Sequence, residues 1–243
     1  MNPDLGIVLR LRPWKESDVM LDMFTDRQGR IIALAKGAQR SRRRFVGLLL
    51  NSQLLEVELK SYQKSNIRLL SQARMVNSYP GLHENYQRWL AAGLILDLLL
   101  KGTPYLSPLP EIMYLAVISL KRIAQSSHRL EQQNALLLFV NRFLQENGFG
   151  LYLERCLFCG RKPDHNDARL SLNGGLACGR CRPRELPVSQ GLINTLSAGQ
   201  RLSLDWLSRL NFTQPQINRL MPFMAAFARQ TFNHDLLSFN LLI

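Results

Sequence analysis

Acidic residues are scarce in this chain. Only 18 Asp and Glu stand against 31 Lys and Arg, a formal net charge of +13 over 243 residues. That balance suits a polyanionic partner, either nucleic acid or an anionic membrane. The acids are also scattered. No D-x-D or H-E-x-x-H arrangement occurs, so the clustered carboxylates and imidazoles of a metal-dependent nuclease are missing. No G-x-x-x-x-G-K-[ST] loop is present to cradle ATP. A non-enzymatic protein is therefore expected. No apolar run reaches the length needed to span a bilayer, which excludes an integral helical membrane protein. The first residues, Met1 to Gly6, lack the charged and apolar regions of a signal peptide. Cysteine is limited to four residues. Reduced thiols, no signal and no spanning segment together predict a cytoplasmic protein. Neither an internal repeat nor a low-complexity segment interrupts the chain.

The four cysteines are concentrated. Cys156-Leu157-Phe158-Cys159 and Cys178-Gly179-Arg180-Cys181 are two C-x-x-C pairs with eighteen residues between them. Each such turn aims two thiolates at one centre, and two turns complete a tetrahedral all-sulfur shell, the geometry of structural zinc. Gly160 and Gly179 suit the tight backbone needed there. The competing readings are two disulfides, which need an oxidising compartment, and a redox pair, which needs no second copy. His165 lies between the pairs, but four sulfurs already fill the shell, so it reads as a surface loop residue. The spacer is a polar turn followed by a short hairpin with few apolar residues. One structural zinc per chain would supply the stability of residues about 155 to 182.

Charge is uneven along the chain. Residues 1–80 carry 14 cations against 7 acids, whereas 81–150 carry 6 against 5 and 151–185 carry 7 against 4. The first eighty residues also have strand periodicity. Apolar alternation runs over 6–12 (Ile7, Leu9 and Leu11 on one face, stopped by Pro13), 19–25, 30–36, 54–60 and 67–76. Asp26 to Gly29 is a turn that makes 19–36 a hairpin. Five short strands predict a small closed β-barrel, of OB or SH3-like type, with the OB-fold favoured. From residue 81 the period changes to helical. Helices are expected over 83–101 with a stop at Gly102, 110–126, 130–147 closed by Gly148, 190–197 capped by Ser189, 202–210, and from a capping box at Thr213 and Gln216 to about 233 with Pro222 as a kink point. The expected fold class is α+β. An N-terminal five-stranded OB-fold β-barrel (1–80) precedes an α-helical domain (81–154 and 183–243), which carries an inserted four-cysteine zinc ribbon (155–182).

Several basic groups are candidate phosphate ligands. Lys36, Arg40, Arg42, Arg43 and Arg44 place five positive charges within nine residues, interspersed with glycine and serine. Such a loop can follow a polyanion without reading sequence, or it can be a plain solvated charge run. Arg10, Arg12, Lys15 and Arg30 would extend the patch. Trp14, beside Lys15, either stacks on a base or plugs one end of the barrel. Phe24 and Phe45 read as core. Arg155, Arg161, Lys162, Arg180, Arg182 and Arg184 surround the cysteines and are a second phosphate contact or surface charge. Lys121, Arg122, Arg129 and Arg142 flank apolar helical faces. A zinc-ribbon RNA-binding or transcription-associated protein would share this charge and this metal site, and stays open as the alternative.

Several stretches resemble one family, the bacterial DNA repair and recombination mediator RecO. They are Leu11-Arg12-Pro13-Trp14-Lys15-Glu16-Ser17-Asp18, then Leu21 to Thr25, then Gly29-Arg30, and most specifically Ala35-Lys36-Gly37-Ala38 with its arginine tail. The order and spacing of the helical middle and the four-cysteine insertion also match, over roughly residues 5–200. The apolar stretch His234 to Ile243 departs from the more basic tail of that family. The resemblance implies an OB-fold, a helical domain and a zinc ribbon. It implies binding of single- and double-stranded DNA, annealing of complementary strands, and help in loading the RecA recombinase onto DNA coated with the single-stranded DNA-binding protein, SSB. Contact with the SSB C-terminal tail and with RecR is implied, with RecF and RecA as further or indirect partners, in a cytoplasmic, nucleoid-associated setting. The SSB tail is received in that family by a groove of the helical domain, where Lys121, Arg122, Arg129 and Arg142 would form a basic rim.

Overall fold

The computed structural model describes residues 3–41, 44–63, 65–164 and 166–233. Arg42, Arg43, His165 and the tail 234–243 lie outside the described residues. Five strands form the first element group: β1 (Asp4–Trp14), β2 (Asp18–Thr25), β3 (Gly29–Ala35), β4 (Leu54–Ser61) and β5 (Arg68–Asn77). They close a barrel in the order β1-β2-β3-β5-β4, with β4 returning to β1 and a short parallel pairing of β3 with β5. This is the OB arrangement. Leu55, Val57 and Leu59 point inward from β4 as their alternation requires, and they meet Leu21, Met23, Ile31, Ala33 and Leu70.

Strand β1 departs from the expected pattern in two ways. Pro13 does not end it; Pro13 pairs with Val19, and β1 continues to Trp14. Beyond Ile7 the register with β4 has ended, so this part of β1 is an edge, where a missing N–H is tolerated. The register also shifts between Val8 and Arg10. The extra residue reverses the alternation, so Val8 and Leu11 pack on the barrel core rather than Ile7, Leu9 and Leu11 as one set.

Helix α1 (Tyr86–Gly102) is capped by Asn85, whose side chain accepts from the backbone N–H of Gln87 and Arg88. Gly102 lies inside it. Thr103 ends the helix instead, its hydroxyl donating to the Leu99 carbonyl at 2.6 Å, with Pro104 next in the chain. Helix α2 (Pro110–Gln125) follows. The chain divides into two compact units, Met1–Gln125 and Ser126–Ile243, so α1 and α2 belong with the barrel. The joints are visible. Helix α1 packs on β1 and β2. Arg30 donates to the Thr103 carbonyl, the Ile32 amide donates to the Tyr105 hydroxyl, and the Leu106 amide donates to the Arg30 carbonyl. Gly29, at φ +69°, lies so close that a Cβ there would come within 1.9 Å of the Ser107 carbonyl oxygen.

The second unit opens with α3 (Arg129–Glu146), closed at Gly148 with φ +80°. Two buried asparagines on α3 act as clamps. Asn134 exchanges hydrogen bonds with the backbone of Phe212, and Asn141 donates to the Leu196 carbonyl. A small sheet follows, β6 (Ala168–Ser171), β7 (Gly175–Cys178) and β8 (Leu186–Pro187), with β6 in the centre. Then come α4 (Gln190–Arg201, capped by Ser189), α5 (Leu204–Leu207) and α6 (Gln214–Phe232). Helix α6 starts with the Thr213/Gln216 capping box and runs on through Pro222. Among the described residues, no helix is long and apolar enough to cross a membrane.

Candidate metal centre and nucleic-acid interface

The four thiols meet at one point. The sulfurs of Cys156, Cys159, Cys178 and Cys181 all lie within 4.8 Å of one another. A tetrahedron with metal–sulfur bonds of about 2.3 Å has sulfurs about 3.8 Å apart; Cys159 Sγ and Cys178 Sγ are separated by 3.7 Å. The cluster is therefore compatible with a metal held by four thiolates. Hairpin β6–β7 delivers Cys178 at its end, where it pairs with Ala168. The Cys156 carbonyl accepts from Gly160, which turns at φ +72°. Gly179 needs to be glycine for another reason. Its amide donates to Asp167 Oδ1 at 2.8 Å, and a Cβ would come within 2.5 Å of that oxygen.

Backbone and guanidinium donors prepare these sulfurs for charge. Arg161, held by Asp167, donates to the Cys178 sulfur and with the Cys181 amide draws that thiol down to about 6. Burial pushes the Cys156 thiol up, yet the amides of Phe158, Cys159 and Cys178, with the Cys159 side chain, leave it below its ordinary value. Cys181 is pushed up to about 12, because its hydrogen bonds with Cys178 and Cys159 favour the protonated form. Without a cation the cluster keeps protons; with one it must release them.

The barrel gathers its cations at one end. Strand β3 delivers Lys36, whose ammonium sits 4.8 Å from the Tyr62 ring, at the start of the β4–β5 turn. The Gly37 amide donates to Asp18 Oδ1, and the Gln39 amide to the Ser17 carbonyl. These bonds hold the start of the basic loop against the β1–β2 turn, which carries Trp14 and Lys15. Arg40 reaches Glu16 at 3.6 Å, but both are exposed and the pair is weak. Arg44 donates to the Lys36 carbonyl and lies over the Phe45 ring. Lys15, Lys36, Arg40 and Arg44 are thus exposed together, where the β1–β2 and β4–β5 loops of an OB-fold meet its ligands. A cleft of about 270 Å³ between Leu11, Val19, Phe45 and Leu49 also takes in Ala38 and Gln39 of the basic loop. Trp14 is 48 % exposed, so it does not fill the barrel; Phe24 and Phe45 are buried.

Other candidates are placed differently. Arg10 and Arg12 flank the buried carboxylate of Asp22, at 2.9 and 3.1 Å, which offsets one of their two charges. Arg30 donates to Thr103 and stacks on Tyr105, a tie between barrel and connector. Lys121 and Arg122 stand on α2 in the first unit; Arg129 and Arg142 stand on α3 in the second. Arg142 is engaged inside its own unit by Glu146 and by the carbonyls of Gln200 and Leu202. Arg155, Lys162, Arg180, Arg182 and Arg184 are exposed around the cysteines. Tyr62 and Phe158, each beside a cation, escaped the sequence reading. Their one signal was an aromatic residue inside a basic turn.

Two family models cover almost the whole chain. The one described as recombination protein O N terminal matches residues 1–79, and the one described as recombination protein O C terminal matches residues 83–238. The chain is 29 % identical over 242 residues to the DNA repair protein RecO of Syntrophobacter fumaroxidans, covering 98 % of this chain and 95 % of the relative. It is 26 % identical over 247 residues to that of Syntrophus aciditrophicus, covering 98 % and 93 %. It is 31 % identical over 211 residues to that of Frankia casuarinae, covering 84 % and 82 %.

Proposed function

Because the chain belongs to the recombination protein O family, whose members act in DNA repair and recombination, we propose that it is a recombination mediator. In this reading it binds single- and double-stranded DNA, anneals complementary strands, and helps RecA load onto SSB-coated DNA. It does so in the cytoplasm, without ATP and without cutting. The observation that carries the reading is the gathering of Lys15, Lys36, Arg40 and Arg44 at the loop end of the barrel. Two DNA strands repel each other. Cations on a loop that follows the backbone neutralise that repulsion and raise the local strand concentration. The cysteine cluster holds one structural zinc, the ion that a closed all-thiolate shell suits.

The SSB tail, acidic and apolar, supplies the tether, with RecR and RecF as further partners. Lys121 on α2 is one cation offered to it. Binding the tail makes strand contact effectively intramolecular. The test is annealing of complementary strands, bare and SSB-coated. The protein is expected to accelerate both without nucleotide. Truncating the SSB tail should slow only the coated reaction. Equal rates on coated strands with and without the tail would defeat the tether. Preference for structured RNA over single-stranded DNA would defeat the mediator reading itself.

A further inference from the structure

The two C-x-x-C turns are built alike but dressed differently. In the first, the amides of Phe158 and Cys159 turn inward to the Cys156 sulfur. Leu157 and Phe158 are left outside, 39 % and 40 % exposed. The second turn carries Gly179 and Arg180 at the same places. Making such a turn therefore requires no apolar residue. The Leu157 amide donates to the Leu176 carbonyl at 2.8 Å, which ties the tip to strand β7. The Arg182 guanidinium lies 4.2 Å from the centre of the Phe158 ring.

The surrounding charge is mostly positive. Arg155, Lys162, Arg180, Arg182 and Arg184 are exposed, and none forms an ion pair among the described residues. Three of the four acids of residues 151–185 have partners of their own. Glu154 pairs with Arg201, Asp167 with Arg161, and Glu185 accepts from Ser171. An exposed aromatic ring, with Arg182 over one side and further cations nearby, offers a stacking face for a base and several contacts for the phosphates that flank it.

We propose that the four-cysteine turn is a second single-strand site, in which Phe158 stacks a nucleobase of DNA and the nearby cations hold its backbone. The inference rests on the DNA-binding reading of the barrel and adds a separate contact on the other unit. One chain then has two places to hold a strand, which favours annealing.

The zinc-loaded, full-length protein is irradiated with a thymidine oligonucleotide carrying 5-iodouracil, and the cross-linked peptides are mapped. A cross-link within residues 155–160 is expected, and Phe158→Ala should abolish it. Annealing should fall about tenfold in Phe158→Ala, the loss of one stacked base, and return with Phe158→Tyr. The salt slope should not change, since the ring has no charge. Cross-links confined to residues 1–80, with Phe158→Ala annealing at the wild-type rate, would overturn this second site and leave the barrel reading intact. No cross-link and no binding anywhere would overturn both. The wild-type cross-link decides the matter even if Phe158→Ala loses its metal.

Discussion

Removing the metal, or replacing Cys178 with Ser, is expected to unfold residues about 155 to 182 while the barrel stays folded. The reason lies in what the ribbon is made of. Its buried cluster consists of Cys156, Ala177 and Cys178, with Cys181 packed against it. Beyond the ligands the stretch buries Ala168, Leu170, Leu176 and Ala177, so only a modest apolar core remains once the ligands are released. Structural zinc bound by small peptides contributes about 10–16 kcal/mol of apparent binding free energy near pH 7, and here that energy would become local folding energy. The barrel has its own core of Leu21, Met23, Ile31, Leu55, Val57 and Leu70 in the other unit. Hydrogen exchange before and after chelation reads both regions in one experiment. Unchanged protection over 155–182 would show that the ribbon folds without metal. Acid should act like a chelator. Binding by four thiolates needs all four sulfurs deprotonated, so protons compete with the metal for them. Zinc affinity measured from pH 8 to pH 5 should therefore weaken steadily toward acid.

Single-strand binding is expected to weaken about 100-fold between 50 and 200 mM salt. Lys36, Arg40, Arg42, Arg43 and Arg44 offer five phosphate contacts. At about 0.7 per contact on a single strand the slope is about 3.5, and a fourfold rise in salt then gives about two decades. Arg40 shares some of its charge with Glu16, so five contacts is the ceiling for this loop alone. Replacing Arg42 and Arg43 with Ala should lower the slope by about 1.4 and weaken binding to all sequences alike. Fluorescence anisotropy at four salt concentrations measures both slopes. An unchanged slope in the double variant would move the DNA site off this loop. Binding of the SSB tail, partly apolar, should respond less to the same salt.

The strands were legible to within a few residues because each has one face in the barrel and one in solvent, as Leu55, Val57 and Leu59 against Glu56, Glu58 and Lys60 illustrate. The phase of β1 was not legible. One bulged residue reverses the alternation and leaves no mark in composition. The cysteine centre could be read from spacing alone, since two C-x-x-C turns fix their own geometry. Which cations face outward could not. Arg30 and Lys36 look equivalent in sequence, yet Arg30 is drawn to Thr103 and Tyr105, over seventy residues away, and Lys36 is exposed. Arg142 is another such case, bound to carbonyls of Gln200 and Leu202. Pairings at that distance depend on tertiary packing, which periodicity does not record.

Closure of the barrel through β5 also bears on how the chain is made. Strand β3 ends at Ala35, and its partner β5 starts only at Arg68. During synthesis the Ala33–Leu34 part of the β3 edge therefore waits unpaired while 33 residues are added, and the Arg30–Ile32 part waits until Tyr105 and Leu106 arrive. At about 5–20 residues per second the first interval lasts roughly 2–7 s. An unpaired strand edge is a template for pairing with another chain. The basic loop falls inside this interval, so the nascent edge is followed at once by a run of like charges. Those charges repel a neighbouring nascent chain carrying the same run. The residues offered to DNA in the finished protein thus also guard the edge before the barrel exists.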